Sequence, residues 1–209
     1  MLGIALLFSC NAPDHDQMQA GADQIYQVLN PQRSGISFVN KLTENNDVNY
    51  FFYPDLYGGG GVAVGDINND GLPDIYLTSI LVRNALYLNK GNLQFEDITE
   101  QAGVHGAGKW TKGVTMADVN NDGYLDIYVS VGGPLPDKKN LLFINKKDNT
   151  FEEQAEAYGI ADEGYSIQSA FFDYDKDGDL DLYVGNNTPT AFQSRNSYYA
   201  EKMKNPAPH

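Results

Sequence analysis

Three short stretches concentrate oxygen donors at one repeated spacing. VAVGDINNDGLPDIYL (residues 62–77), VTMADVNNDGYLDIYV (114–129) and AFFDYDKDGDLDLYV (170–184) each read D-x-[ND]-x-D-G-x-x-D and then run into apolar residues. Positions 1, 3, 5 and 9 are Asp66, Asn68, Asp70 and Asp74 in the first copy and Asp118, Asn120, Asp122 and Asp126 in the second. In the third they are Asp173, Asp175, Asp177 and Asp181. The carbonyl at position 7 (Leu72, Tyr124, Asp179) can add another oxygen, and Gly71, Gly123 and Gly178 at position 6 permit the sharp turn that gathers the donors. These are hard donors. No His or Cys lies in any loop, which argues against zinc, copper and iron. Magnesium demands near-ideal octahedral geometry and keeps several waters, so calcium fits better, with up to three ions. The same letters favour a metal-free turn as well, because Asp-Gly and Asn-Asp are turn formers on their own. Three copies in register shift the balance toward a cation, as do the five Asp of the third loop (173, 175, 177, 179, 181), which would repel one another without one.

The loops must be held by strands. A helix–loop–helix calcium site needs a bidentate Glu at position 12; here that position is Leu77, Val129 and Val184, each inside an apolar run. The first Asp recurs at 66, 118 and 173, spacings of 52 and 55 residues. The similarity extends beyond the loops, since NALYLNKGNLQFEDITEQAGV (84–104) matches NLLFINKKDNTFEEQAEAYGI (140–160). Such a period points to stacked units, and four short strands per unit point to propeller blades. The expected fold is all-β: a partial β-propeller of two and a half four-stranded blades, at about residues 58–104, 108–160 and 165–187 of a segment spanning 35–187. GISFVNKL (35–42) alternates Ile36 and Phe38 and reads as a further strand. Ile75, Leu77, Ile127, Val129, Leu182 and Val184 flank Tyr76, Tyr128 and Tyr183, which share one register and read as packing residues.

GGGGVAVGDINNDGLPDIYL, NLLFINKKDNTFEE and AFFDYDKDGDLDLYV resemble the FG-GAP/VCBS repeats of calcium-binding β-propellers, the architecture of the integrin α-chain head. Within that group the chain is similar to the bacterial branch related to cartilage acidic protein. The resemblance covers roughly residues 58–187. It implies a ring of about seven blades, and it says nothing of the ligand. Two and a half blades cannot close a ring, so the expectation is a fragment or a truncated reading frame. The tail 188–209 is expected to be irregular.

MLGIALLFSCN resembles a bacterial lipoprotein signal: residues 1–9 form the signal peptide and Cys10 takes the lipid. No Lys or Arg precedes the apolar run, which places the expected true start upstream of Met1. Cys10 is the sole cysteine, so no intramolecular disulfide forms. Residues 10–34 read as a polar tether, helical near 25–29. The implied location is the bacterial cell envelope, with the chain exported and lipid-anchored at the outer membrane or cell surface.

Other chemistry finds little footing. GVHGAGK (103–109) satisfies G-x-x-x-x-G-K, but Trp110 stands where a nucleotide site needs Ser or Thr, and a strand follows where it needs a helix. His15, His105 and His209 assemble no nucleophilic set. With 28 acidic against 14 basic residues and no basic cluster, nucleic acid is excluded. The aromatics of YFFYPDLYGGGG (50–61) read as packing, and Trp110 is placed near a rim where it could touch a ligand. Two function classes follow. One is a surface-anchored, calcium-binding, non-enzymatic scaffold for a protein or glycan; the other is the N-terminal piece of a polysaccharide-processing enzyme with downstream catalytic residues.

Overall fold

From residue 62 onward strands of three to eight residues, most of them apolar runs, alternate with Gly-, Asn- and Asp-rich turns. The computed structural model describes residues 28–46, 48–51 and 53–187. The elements below lie in the compact unit that begins at Pro31. Strands β1 (Val62–Gly65), β2 (Asp74–Leu77), β3 (Ala85–Asn89) and β4 (Phe95–Asp97) form one four-stranded sheet in chain order. Strands β5 (Thr111–Ala117), β6 (Asp126–Val131), β7 (Leu141–Asn145) and β8 (Phe151–Glu153) form a second, and β9 (Tyr165–Phe172) pairs with β10 (Asp181–Asn187). Every pairing is antiparallel. Gly65 pairs with Asp74, Ala117 with Asp126 and Phe172 with Asp181, so the three acidic loops leave their hairpins at one register. The molecule is a partial β-propeller of sheets stacked face to face.

Side chains alternate between the two faces of each strand, and both faces of the middle sheet are covered. Ile127, Val129 and Phe143 pack toward the first sheet with Tyr76, Leu86 and Val104. Tyr128, Leu142 and Ile144 pack the other way, with Phe171, Leu182 and Val184. Fully burying each large apolar side chain contributes roughly 1.5–3 kcal/mol. Tyr76 and Tyr128 use their hydroxyls alike. Tyr76 Oη donates to Val104 O at 2.6 Å and accepts from Asn84 Nδ2 at 3.0 Å. Tyr128 Oη donates to Ile160 O at 2.8 Å and accepts from Asn140 Nδ2 at 3.0 Å. The sheets approach closely at Gly132, where an added Cβ would lie 1.9 Å from Ser166 O, so no other residue fits without a shift.

Three expectations are corrected. Residues 35–42 form no strand, although Ile36, Phe38, Asn40 and Leu42 are half-buried and the residues between them are exposed. The alternation is real but no ladder forms; the segment docks through side chains, Ser37 N donating to Tyr87 Oη at 3.2 Å and Ile80 N to Asn40 Oδ1 at 3.0 Å. Val28 and Leu29 lie outside any helix; the turn of helix forms instead at α1 (Pro31–Ser34), where Pro31 sits at the first helical position, and residues 25–27 lie outside the described residues. The aromatics at 50–57 do not all pack. Tyr50, Phe51 and Tyr57 are exposed, while Tyr53 lies against Trp110.

Candidate metal centres

Each loop is built by its own side chains closing on its own backbone. In the first, Asp66 Oδ1 accepts from Asp70 N at 3.1 Å and Oδ2 from Gly71 N at 2.7 Å. Asn68 Nδ2 donates to Asp70 Oδ2 at 3.1 Å, and Asp70 Oδ1 accepts from Leu72 N at 2.8 Å. The second loop repeats this bond for bond. Asp118 accepts from Asp122 N at 2.9 Å and Gly123 N at 2.7 Å, Asn120 Nδ2 reaches Asp122 at 3.1 Å, and Asp122 accepts from Tyr124 N at 3.0 Å. The turn requires left-handed backbone at position 4 (Asn69, Asn121, Lys176) and at the following glycine. Asn tolerates that region better than most residues, and glycine occupies it freely.

Position 9 does more than its residue type announced. Asp74 is fully buried; its Oδ2 accepts from Ile67 N at 2.9 Å and its Oδ1 from Asn89 N at 2.8 Å. Asp126 does the same with Val119 N at 3.0 Å and Asn145 N at 2.8 Å. These carboxylates clamp the loop to the third strand of the sheet. Burial pushes both up from the ordinary carboxylate range, the two N–H donors hold them down in part, and the nearby loop acids push up again. A carboxylate raised by burial and neighbouring acids gains most from a cation beside it.

The third loop is looser and more acidic. Asp173 accepts from Lys176 N at 2.7 Å and Gly178 N at 3.3 Å, and Asp177 from Asp179 N at 2.9 Å. Asp181 accepts from Tyr174 N at 2.7 Å and is exposed. Carboxylate oxygens of Asp173, Asp175 and Asp177 all lie within 4.8 Å of one another, a spacing that fits a single cation. The donor set is all oxygen, so a hard cation suits it.

Among the described residues the structure converges three carboxylates in the third loop, Asp173, Asp175 and Asp177, whereas in the first and second loops Asp74 and Asp126 stand at the start of a strand and turn to backbone N–H groups. It also brings in residues the repeat did not point to. Asn89 and Asn145 close the position-9 clamps, and Asn145 Nδ2 further donates to Ile67 O of the preceding sheet at 2.8 Å and to Leu125 O at 3.1 Å. Asn69 Nδ2 of the first loop donates to Gly123 O of the second at 2.9 Å. Lys147 lies 3.4 Å from Asp122 and over the Tyr124 ring. Burial raises Asp122, but the Tyr124 N–H, the Asn120 amide and the Lys147 ammonium outweigh it, and the net shift is downward. The signal for Asn89 and Asn145 was present: each ends the matched strands ALYLN and LLFIN.

The opposite end of the sheets holds a groove lined by Lys109, Asp137, Lys139, Glu153, Glu156 and Glu163. Its charges neutralise one another, Lys109 with Asp137 at 2.6 Å and Lys139 with Glu156. Trp110, expected near a rim, is fully buried there. His105 is exposed. Cys10 lies outside the described residues. Among the described residues no helix is long and apolar enough to cross a membrane.

A family model described as FG-GAP-like repeat matches residues 66–129 and 131–184. Cartilage acidic protein 1 of Xenopus tropicalis is 33% identical over 135 residues, 62% of this chain and 20% of that protein. The Homo sapiens protein of the same name is 30% identical over 135 residues, 62% of this chain and 19% of its own length. Integrin alpha-8 of Gallus gallus is 27% identical over 190 residues, 79% of this chain and 17% of that protein. The chain thus spans about a fifth of the length of the curated relatives it matches.

Proposed function

This chain belongs to the FG-GAP-like repeat family, and from that premise we propose that it is a calcium-stabilised β-propeller segment that serves as a non-enzymatic scaffold for binding a protein or glycan. The observation that carries this reading is the cluster of Asp173, Asp175 and Asp177, whose oxygens converge within 4.8 Å in a loop that repeats two others at the same register. Asp66, Asn68, Asp70 and Asp74 with the Leu72 carbonyl hold one ion; Asp118, Asn120, Asp122 and Asp126 with the Tyr124 carbonyl hold a second. Asp173, Asp175, Asp177 and Asp181 with the Asp179 carbonyl hold a third. Calcium is structural here: it neutralises the loops and stiffens the surface they carry. Extracellular modules bind calcium with dissociation constants of about 10⁻⁴–10⁻³ M, so at about 1 mM each site adds roughly 0.4–1.4 kcal/mol of stability. Export and lipid attachment at Cys10, which would set the chain on the bacterial envelope, complete the proposal; Cys10→Ser should release the protein from the membrane fraction.

The metal reading is tested by isothermal titration of the full chain with calcium. Saturable binding, weakened separately by Asp66→Ala, Asp118→Ala and Asp173→Ala, is the expected result. An absence of binding heat together with an unchanged melting temperature in EDTA would remove calcium from the proposal.

A further inference from the structure

At the end of the sheets opposite the acidic loops, a buried cation and a buried indole meet a short turn of the same chain. Trp110 is fully buried, and its Nε1 donor has no hydrogen-bond partner among the described residues. Lys112 lies with its ammonium 5.7 Å from the centre of the Trp110 ring, and only 8% of its side chain is exposed. A buried ammonium needs an anion. The anion is Asp55, 2.5 Å away, carried by the 3-10 turn Pro54–Tyr57. The same turn sets Tyr53 edge-on against Trp110, ring centres 6.0 Å apart, and packs Leu56 into a cluster with Ile80 and Trp110.

We propose that Trp110, Lys112 and Ile80 form a binding site for an acidic peptide segment of a protein partner, and that the turn at residues 53–57 is its resident, displaceable occupant. Three features of the turn describe the ligand: an aromatic side chain for the Trp110 ring, a carboxylate for Lys112, and a branched apolar side chain for Ile80. The turn is held by side chains. The backbone bonds of Leu56 and Gly58 reach back only to Tyr53 O at 2.9 Å and Asp55 O at 3.0 Å, and that of Tyr53 reaches Asn49 O, just before the turn, at 2.9 Å. None of these bonds is to a sheet, so the turn leaving together with Asn49 would break none of them, and a segment so held can open apart from the sheets. A competing peptide gains what the turn leaves unused, an acceptor for the Trp110 N–H, since an unpaired buried donor is unfavourable. The net charge of −14 repels acidic chains in general, so Lys112 must be reached by a ligand that also fits the indole.

The inference rests on the reading of the chain as a binding scaffold but not on its metal sites, because the seven residues of β5 separate the two ends by roughly 24 Å. Trp110 is the sole tryptophan, so its emission reports the site directly. In the calcium-loaded full chain, the amides of Leu56 and Gly58 should exchange on the order of 100-fold faster than those of Val114 and Val129. Asp55→Asn should raise acrylamide quenching of Trp110 by about threefold or more, with calcium binding unchanged. The peptide YPDLYG should quench or shift the emission saturably, and YPNLYG should bind at least about tenfold more weakly. Exchange at Leu56 and Gly58 in step with the sheets overturns the proposal. So do equal affinity for the two peptides, no binding of either, or displacement of the turn by polygalacturonate and not by peptide. The exchange measurement needs no variant, so a poorly folding Asp55→Asn chain would leave the test intact.

Discussion

The second and third acidic loops share a motif and a register, yet they stand in opposite conditions. In the second, position 9 is buried Asp126, clamped by two backbone N–H groups, one of them from the third strand of its sheet. In the third, position 9 is exposed Asp181, which accepts from Tyr174 N within its own hairpin. The second loop has Asn120 at position 3, whose amide N–H donates to Asp122. The third has Asp175, which offers no such donor and adds a charge. One sequence pattern thus serves two purposes. In the second sheet it is a pinned corner of the fold; in the third loop it is a cluster of exposed carboxylates.

The largest effect expected from this difference is on stability. Asp126→Ala strands two backbone donors and should cost about 2–5 kcal/mol in chemical denaturation without calcium, whereas Asp181→Ala should stay within about 1 kcal/mol. Equal costs would mean that position 9 is pinned alike in both loops. Chelation should separate the loops next: in EDTA, amides at 176–179 should exchange on the order of tenfold faster, while those at 122–124 keep their protection. Uniform loosening of both would mean that the third loop is no more cation-dependent than the second. The tyrosines sharpen the contrast further. Tyr128→Phe loses a hydroxyl bonded to Ile160 O and Asn140 and should cost about 1–2 kcal/mol, while Tyr183→Phe, at an exposed position, should change melting by less than about 0.5 kcal/mol.

The smallest effect concerns acid, and it belongs to the complete sheets. Asp97 closes the outer turn of the first sheet. Burial pushes its carboxyl up, but Arg83 at 2.8 Å and the hydroxyl and N–H of Thr99 outweigh that and hold it below the ordinary range. A depressed folded value means the contribution is present above the unfolded value and is lost as the pH falls through the folded one. Asp97→Asn should therefore flatten the acid limb of the stability curve by about 1 kcal/mol, and an unchanged limb would assign acid sensitivity elsewhere.

Much of this was legible in the residues. The loops, their register and the strands after them follow from repeated letters, because ligand spacing and strand periodicity are both local. The double role of Asp74 and Asp126 was hidden, since a metal ligand and a hydrogen-bond clamp are the same residue type. The burial of Trp110 was not legible either; its cover comes from residues 53–56, distant in the chain, through contacts with no period. At 36–42 the alternation correctly marked which side chains turn inward and wrongly implied a ladder, because half-burial on a docked segment has the same period as a strand. Tyr183 shares the register of Tyr76 and Tyr128 but not their burial, because burial depends on a neighbouring sheet and not on the strand itself.

Asn145 joins two sheets with one amide, holding Leu125 O of its own and Ile67 O of the one before. Beside it, Asn69 reaches across to Gly123 O. At the acidic rim the first two sheets are therefore tied twice, and a pull that splays them apart loads both amides in parallel. Neither amide can be lost without shifting the whole load onto the other.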